Sequence, residues 1–417
     1  MRGHFEVLTG RGGSATLRSV RERTVFLHSQ YDPVREAEAL VRSWRVDSSE
    51  CSLPVLGLGL GYHIEACLLQ HPHIQEIAVI EPYREVVDLA REVRPQVLSD
   101  PRVTVIVPKD ESECRHVLGA CDMSRLRVHP PSVEVFPYAS MRWLIQEAQM
   151  LRASVERNVG MLDMNFAANR DAVRPENVFT GMRDRYAGSM GIVVAAGPSL
   201  NEAIPWLPQC ARAGAVILSV GQVLRKLLQN GVVPQYVLVT DGQEFVAEQL
   251  KDLPVGPLPT LICTPTVHPN LRDTYGGDIL WAMQRGYAPS EELAERHGWD
   301  TFEVGGSVAT LALSVAHHLG CDPIVFVGQD LAYVDGKSHA EDTHHQHIFI
   351  HGDSFRRIWT ESVTGEEIET TLSWNSFRHW IERFIRDHPD RTYLNASRGA
   401  HIAGTQHVCP WAMESLV

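Results

Sequence analysis

The hydrophobic residues in the N-terminal part of the chain form short apolar runs that are separated by segments with helical spacing. Apolar runs predict strands at Leu53–Leu58, Ile77–Ile80 and Val103–Val107, and the spacing predicts helices at Ile64–Leu69 and Tyr83–Val93. Strands that alternate with helices in this way form mostly parallel sheets. This part of the chain is therefore predicted to be a Rossmann-like α/β domain.

The same alternation is stronger in the second half of the chain. The predicted strands are Gly191–Ala196, Ala215–Val220, Tyr236–Thr240, Thr260–Thr264, Ile279–Met283, Ile324–Val327 and Thr392–Leu394. The predicted helices are Gln222–Gln229, Val308–Leu319 and Trp374–Ile385. The apolar positions of Val308–Leu319 recur at the helical period, so we expect this helix to be amphipathic and to stop at Gly320.

A long segment between the two α/β regions has the character of a connecting helix. From Tyr138 to Val173 it lacks proline, and it contains one glycine, Gly160. The charged stretch that follows includes Pro175 and Gly181, which favour a domain boundary. We therefore predict two Rossmann-like parallel-sheet domains, at residues 1–137 and 186–417, joined by a helical connector at 138–185.

Composition and charge narrow the class of protein. Of the 417 residues, 44% are hydrophobic, and 38 Lys and Arg against 51 Asp and Glu give a net charge of −13. This balance is unfavourable for general nucleic-acid or acidic-membrane binding. The sequence also lacks an apolar run of membrane-spanning length, a signal-peptide core and any CxxC pair among its eight cysteines. We expect a cytoplasmic protein without a membrane span.

The first candidate site is a glycine cluster after the first predicted strand, with Gly57, Gly59 and Gly61. Glycines at a strand-to-helix turn let the backbone approach a ligand, and the helix start favours an anion. Glu81 closes the next strand, where an acid can bind ribose hydroxyls. The cluster is thus a possible second ligand site. The alternative is that the glycines only pack a tight turn.

The second candidate site begins with Gly197, Pro198 and Ser199, directly after an apolar strand. Gly197 permits close approach, and the spacing from Ser199 to Glu202 is that of a capping box that starts a helix. Backbone N–H groups at this point, together with the Ser199 hydroxyl, can hold a phosphate. Capping boxes also begin many helices that bind nothing.

Further polar residues and glycines follow the other strands of the second half. Asp241, the Gly306–Ser307 pair and Asp330 each stand where a predicted strand ends or a helix begins. Because the carboxyl ends of parallel strands share one edge of a sheet, these residues are expected to converge. The sequence therefore predicts a binding site at this edge.

The ordered motifs resemble the MptE-like superfamily. The matching segments are Ala196–Leu200, Asn230–Asp241, Gly305–Ala309, Leu319–Ile324 and Gly328–Tyr333. That superfamily contains the motility-associated factor (Maf) flagellin glycosyltransferases and the archaeal 6-hydroxymethylpterin diphosphokinases. The segments Gly57–His63 and Ile80–Pro82 are also similar to the Rossmann-like domain that precedes the Maf transferase core.

The resemblance implies a core similar to the metal-independent bacterial sialyltransferases. It implies transfer of a nonulosonic acid from a CMP-activated donor to Ser or Thr hydroxyls of flagellin in the cytoplasm, with no metal site and no cofactor. The nucleotide-sugar site carried over by position consists of Gly197, Pro198, Ser199, Asp241, Gly306 and Ser307. Gln329, Asp330 and Tyr333 line the adjoining catalytic side.

A histidine after the last motif is the candidate catalytic base. His339 matches a position where the family commonly has histidine, and a neutral imidazole can deprotonate a hydroxyl near pH 7. Asp330 is the second candidate catalytic residue. The His-rich stretch also contains His344, His345 and His347, so a solvated loop or a metal-binding cluster is the alternative.

The chain departs from the family pattern at one motif position and leaves two other functions open. Gln235 stands where the family usually has Asp after proline, and the chain contains no DxD segment. The first alternative is diphosphokinase chemistry, which would need ATP and Mg²⁺ held by Asp241 and Asp330. The second is a non-catalytic nucleotide-binding module.

Overall fold

A computed structural model describes residues 4–20, 24–44, 46, 50–120, 126–138, 141–142, 145, 159–343 and 357–409. The chain divides into two compact units, Met1–Ser154 and Val155–Val417. Much of the predicted connector, including residues 146–158, lies outside the described residues, and His344, His345 and His347 do so as well. Each unit contains its own parallel sheet, so the predicted α/β fold class with two parallel-sheet domains is confirmed.

The first unit combines a small antiparallel sheet with a four-stranded parallel sheet. The antiparallel sheet has the order β1 (Phe5–Thr9), β2 (Ala15–Ser19), β3 (Val25–Phe26). The parallel sheet has the order β6 (Val103–Ile106), β5 (Glu76–Ile80), β4 (Ser52–Leu56), β7 (Arg127–Val128). The helices are α1 (Pro33–Ser43), α2 (Tyr62–Gln70), α3 (Arg84–Val93), α4 (Pro95–Leu98), α5 (Glu111–Ala120) and α6 (Pro130–Glu134).

The second unit is built on an eight-stranded parallel sheet. Its order is β12 (Ile279–Trp281), β11 (Thr260–Cys263), β10 (Tyr236–Val239), β9 (Val216–Val220), β8 (Gly191–Val194), β15 (Ile324–Val327), β18 (Tyr393–Ala396), β19 (Gln406–His407). Every residue of β8, β9, β10, β15 and β18 is buried. Such continuous burial is typical of a parallel sheet whose two faces are both covered.

Helices and two small ribbons surround this sheet. Residues 159–169 are helical (α7), and the other helices are α8 (Leu200–Ala203), α9 (Leu207–Arg212), α10 (Leu224–Gln229), α11 (Asn270–Thr274), α12 (Ala288–His297), α13 (Val308–His318) and α14 (Leu372–Asp387). Short 3-10 turns cover Arg170–Ala172, Pro175–Asn177, Gly221–Val223 and Glu244–Leu250. The ribbons pair β13 (Met283–Gln284) with β14 (Thr301–Phe302), and β16 (Arg357–Glu361) with β17 (Glu367–Thr371).

The position of α13 corrects one prediction from the sequence. The helix is buried on nearly every side, including Leu311, Leu313 and Val315, and is therefore not amphipathic. It packs against β8, β9 and β10 on one side and approaches α14 on another. A helix that is enclosed in this way needs apolar residues all round.

Several elements differ from the predicted ones. The predicted strand Ile279–Met283 is divided, because β12 joins the large sheet while β13 pairs with β14. The strands β1, β2, β16 and β17 and the helices α1 and α12 were not predicted. None of the helices in the described residues is long and apolar enough to cross a membrane.

The strand order of each parallel sheet reverses once. In the first unit, β5 lies on one side of β4 and β7 lies on the other. In the second unit, β9 lies on one side of β8 and β15 lies on the other. Open α/β sheets bind ligands in the crevice at the carboxyl ends of the strands where the order reverses. These two places are where the two predicted glycine clusters lie.

Candidate functional site

The strand ends of the second unit enclose a cavity of about 240 Å³. It is bounded by the segments that follow β8, β9, β10 and β15, by the start of α13 and by one side of α14. Six of the predicted site residues line it: Gly197, Asp241, Ser307, Gln329, Asp330 and His339. The structure thus brings these six residues together at one edge of the sheet.

The carboxylate of Asp330 holds the loops around the cavity together. Asp330 is 1% exposed, and its Oδ2 accepts a hydrogen bond from the backbone N–H of Ser199 at 2.9 Å. Its Oδ1 accepts from the Ser199 hydroxyl and from the backbone N–H of Arg398 at 3.1 Å. Burial raises the pKa of the Asp330 carboxyl, and these donors oppose that rise.

Two glycines are required by the close packing around this carboxylate. A Cβ atom on Gly197 would overlap the carboxylate of Asp330 and the carbonyl oxygen of Gly328. A Cβ atom on Gly399 would overlap the backbone carbonyl of Asp330. Leu331, the next residue, has φ of +50°, a conformation that costs a non-glycine residue on the order of 1–3 kcal/mol. The surrounding loops thus hold the backbone at Asp330 in a fixed position.

Ser199 has a different role from the one predicted. It precedes α8, but its side chain makes no capping hydrogen bond, so the predicted capping box is wrong. Instead its hydroxyl donates to Asp330 and accepts from the N–H of Arg398 at 2.8 Å. Glu202, the other half of the predicted box, pairs with the Arg398 guanidinium at 2.6 Å. Ser199 is 1% exposed and acts on the cavity by positioning Asp330.

His339 lies on a loop that is attached to the glycine turn after β8. The N–H of the next residue, Ala340, donates to the carbonyl oxygen of Ala196 at 2.8 Å. The His339 ring packs edge-on against Trp374 at 6.2 Å between centroids, and its Nδ1 is 3.0 Å from the Ser338 hydroxyl. The loop therefore brings the imidazole to the same cavity as Asp330.

Asp241 and Gln329 contribute polar groups of different kinds. Asp241 is an exposed residue at the end of β10, and partial desolvation by neighbouring protein raises the pKa of its carboxyl. Gln329 is 4% exposed and lines the cavity, and its Oε1 has no hydrogen-bond partner among the described residues. An unpaired buried oxygen is costly, so it marks a place where a ligand N–H or O–H can bind.

Four predicted residues do not line the cavity: Pro198, Ser199, Gly306 and Tyr333. Pro198 is buried beside it, and Gly306 is exposed before α13 with φ of +84°. The Tyr333 ring does not reach the cavity, but it packs against Trp374, which does, with 4.9 Å between the ring centroids.

Sequence reasoning missed several residues of the site. Four of them line the cavity: Trp374 and Phe377 of α14, and Gln222 and Gln249. The fifth is Arg398, whose backbone N–H donates a hydrogen bond to Asp330. The signal for Arg398 is its place in the segment that follows β18, a strand that ends at the same sheet edge.

A second depression of about 530 Å³ lies on the other side of the 3-10 segment Glu244–Leu250. It is lined mainly by polar and acidic residues, among them Glu244, Glu248 and Asp273. Although it is larger, it has no buried polar group directed at a ligand in the described residues and no strand-end glycine turn. The smaller cavity is therefore the candidate site.

The glycine turn of the first unit is filled by side chains of the same unit. Beside Gly57, Gly59 and Gly61 lie the side chains of three different residues, Ser132, His28 and Val97, each within the space that a Cβ would need. The Glu81 carboxylate, 2% exposed, accepts backbone N–H groups of Leu58 at 2.9 Å and Tyr83 at 3.0 Å. These contacts account for the glycines and for Glu81 without a ligand.

Three buried histidines stack at this turn: His28, His63 and His129. His28 Nε2 accepts a hydrogen bond from the Leu60 N–H at 2.7 Å, which requires a neutral ring. Burial lowers the pKa of all three, that of His63 to about 4. Burial likewise raises the pKa of Glu81 to about 7. Among the described residues, no group of three or more His, Cys, Asp or Glu side chains is placed to hold a metal ion.

Comparison with known proteins supports the family resemblance that the motifs indicate. Residues 164–336 match the family model described as 6-hydroxymethylpterin diphosphokinase MptE-like. The second unit is therefore similar to this family over that segment. The resemblance to this superfamily, which the ordered motifs indicated, is thereby confirmed over the segment that contains Gly197, Asp241, Ser307 and Asp330.

The fold of this chain is also similar to that of a solved structure. The Maf glycosyltransferase from Magnetospirillum magneticum AMB-1 matches 99% of this chain and 71% of its own, with a TM-score of 0.56 and 18% sequence identity. At this identity the likeness establishes the fold. A search of curated proteins found no match.

Removing the Ser199 hydroxyl should destabilise the second unit. In Ser199→Ala the buried Asp330 carboxylate loses one donor and the Arg398 N–H loses one acceptor, which should cost about 1–3 kcal/mol in the free energy of unfolding. Urea denaturation measures the change. Ser338→Ala, at a half-buried serine that lines the cavity, is the control. Equal stability of the two variants would show that the Ser199–Asp330 contact does not hold the loops.

The histidine cluster should make the first unit sensitive to acid. The unfolded chain protonates His63 near pH 6.5 and the folded chain near pH 4, so between these values the unfolded state binds more protons and acid destabilises the fold. The Glu81 carboxyl titrates in the opposite sense, because its folded pKa is raised and acid favours the folded state. His63→Gln keeps an N–H for the Gly57 carbonyl and leaves Glu81 unchanged.

Between pH 4.5 and 6.5 we therefore expect the free energy of unfolding to fall less steeply with acid in His63→Gln than in the unaltered protein. The slopes should differ by about 1.4 kcal/mol per pH unit, which corresponds to the uptake of about one proton on unfolding. Hydrogen exchange in peptides that cover β4 and α2 of the full chain reports the opening free energy. His116→Gln, at an exposed position of α5, controls for the substitution itself. An unchanged pH slope would mean that His63 is not buried in its neutral form.

Proposed function

We propose that this chain is a glycosyltransferase that binds a nucleotide-sugar donor in the strand-end cavity of the second unit. The observation that carries the proposal is the convergence of Gly197, Asp241, Ser307, Gln329, Asp330 and His339 on one cavity at the point of strand-order reversal. The fold likeness to a Maf glycosyltransferase and the MptE-like match support it. The motifs that these residues occupy are those that resemble Maf proteins.

The proposed donor is a CMP-activated nonulosonic acid, and the proposed acceptor is a Ser or Thr hydroxyl of flagellin or a similar cytoplasmic protein. This assignment rests on the Maf resemblance of the motifs. The ionisable residues of the cavity lining are Asp241, Asp330 and His339, and the lining contains no Lys or Arg among the described residues. Such a lining is unfavourable for the several negative charges of a triphosphate, whereas a CMP-nonulosonic acid carries only one phosphate and one carboxylate.

In the proposed reaction His339 is the general base. Its imidazole takes the proton of the acceptor hydroxyl, the acceptor oxygen forms a bond to the anomeric carbon of the sugar, and the bond from that carbon to the phosphate oxygen breaks as CMP leaves. Gln329 Oε1 accepts a hydrogen bond from the bound donor. Asp330 fixes the two glycine-containing loops between which the donor lies.

The name of the family model favours a second candidate, diphosphate transfer from ATP. Mg²⁺ for that reaction would require the carboxylates of Asp241 and Asp330. Both oxygens of Asp330, however, already accept hydrogen bonds from Ser199 and Arg398. Only Asp241 is then left to hold the ion, so the residues present fit the donor sugar better than ATP with Mg²⁺.

Ligand-dependent stability and turnover together test the proposal. In differential scanning fluorimetry, CMP without metal should raise the Tm, whereas stabilisation only by ATP with Mg²⁺ would support the diphosphokinase. A CMP-sugar and a serine-containing acceptor should then release CMP and increase the acceptor mass by one sugar. Binding of CMP without any turnover would leave the non-catalytic module as the better description.

Loss of the proposed base should separate chemistry from donor binding. We expect His339→Ala to lower kcat roughly 10²–10⁴-fold with little change in the Kd for the donor. The rate of the unaltered protein should also fall at acid pH as the imidazole is protonated, and that limb should disappear in the variant. His297→Ala, at an exposed position of α12, is the control. Full activity in His339→Ala would exclude this residue as the base.

A further inference from the structure

The β16–β17 hairpin presents an exposed tryptophan beside the candidate site. Along β16 exposed and half-buried residues alternate, so Arg357, Trp359 and Glu361 lie on one face. Trp359 is 65% exposed, although tryptophan is among the side chains with the most apolar surface. We call the exposed side of this hairpin, formed by Arg357, Trp359, Glu361, Glu367 and Glu369, the hairpin face.

The hairpin face carries an unfavourable pair of like charges. Glu361 stands directly opposite Glu367 in the strand register, and like charges in this position destabilise a hairpin. Neither carboxylate has an ion-pair partner among the described residues. Arg357, the cation on the face, is already paired with Glu369 at 2.8 Å. Among the described residues, the hairpin face therefore has a net negative charge, and its one cation, Arg357, is already paired.

Several hydrogen bonds fix the hairpin to the loops of the cavity. On the β17 side, the Glu369 carbonyl accepts from the Tyr333 N–H at 2.8 Å, and the Thr370 hydroxyl donates to the Leu331 carbonyl at 2.6 Å. On the β16 side, the Glu361 carbonyl accepts from the His401 N–H at 2.8 Å. The hairpin thus holds the residues that follow Asp330 on one side and Gly399 on the other.

The hairpin face is also continuous with the cavity wall. The Arg357 guanidinium lies 4.5 Å from the centre of the Tyr333 ring, which packs against Trp374 of the cavity lining. Arg357 and Trp359 project from the same side of β16. Contacts from Arg357 through Tyr333 to Trp374 thus connect the hairpin face with the cavity lining.

We propose that the hairpin face binds the acceptor polypeptide through a Lys or Arg side chain close to the hydroxyl that is modified. A cation over the Trp359 indole, between Glu361 and Glu367, would gain a cation–π contact and relieve the repulsion of the two carboxylates. The net charge of −13 favours approach of a basic segment and disfavours nucleic acid. This inference rests on the proposed transferase function, since it assigns the acceptor of that site.

The test uses the full chain and a labelled peptide with one central serine flanked by lysines. Two variants alter the hairpin face: Glu361→Gln with Glu367→Gln, and Trp359→Ala. The double variant removes a repulsion, so weaker binding cannot be due to unfolding of the hairpin. Glu292→Gln with Glu295→Gln, at exposed positions of α12, is the matched charge control. Hydrolysis of the donor by water reports the donor site separately.

We expect fluorescence anisotropy to show binding of the lysine peptide that weakens with salt and falls about tenfold in each hairpin variant but not in the control. The acceptor KM should rise by a similar factor, while donor hydrolysis stays unchanged. Equal binding of a matched peptide with glutamates in place of lysines would overturn the inference. So would unchanged peptide binding in both hairpin variants, even with an active donor site. If the unaltered protein neither binds nor hydrolyses the donor, the proposed function fails, whereas the peptide measurements still decide the docking role.

Discussion

The buried carboxylate of Asp330 is the contact on which the geometry of the candidate site depends. It joins the segment after β15 to the glycine turn after β8 through Ser199, and to the loop after β18 through Arg398. Burying a carboxyl group is unfavourable unless donors surround it, and here backbone N–H groups and one hydroxyl supply them. Because those donors come from separate strands, the cost of burial is offset only when all three strand ends are in place. The site is thus formed by the folding of the sheet itself.

The two units use the same position of an α/β sheet in different ways. In the second unit the point where the strand order reverses opens into a cavity with an unpaired buried oxygen of Gln329. In the first unit the corresponding point contains stacked histidine rings, and Glu81 accepts the N–H groups of the turn. A carboxylate in that position takes the place that an anionic ligand would occupy. The first unit therefore looks like a domain in which side chains have replaced a ligand.

Sequence reasoning predicted the parallel sheets and the convergence of strand-end residues, because buried strands and glycine turns leave local patterns. It placed Asp330 at that edge for the same reason, whereas Gln329 and His339 were assigned to the site from the resemblance of the motifs to the MptE-like superfamily. It did not predict that Ser199 bonds to Asp330, since that contact joins residues 131 positions apart in the chain and competes with a local cap. It also missed Trp374, because a tryptophan at a helix start has the same local pattern whether it faces a core or a cavity. The enclosure of α13 could not be predicted either, because it depends on how α14 packs against it.

The close packing around Asp330 has a consequence for how this sequence can diverge. Gly197 and Gly399 each approach a different atom of the same residue, so a larger side chain at either position is incompatible with Asp330 in its present conformation. A glutamate side chain at position 330 is one methylene group longer and would overlap the same neighbouring backbone. Homologues should therefore keep all three residues or change them together. A lineage that lost the acid would be released from both glycines, and co-variation of these three positions would record that loss.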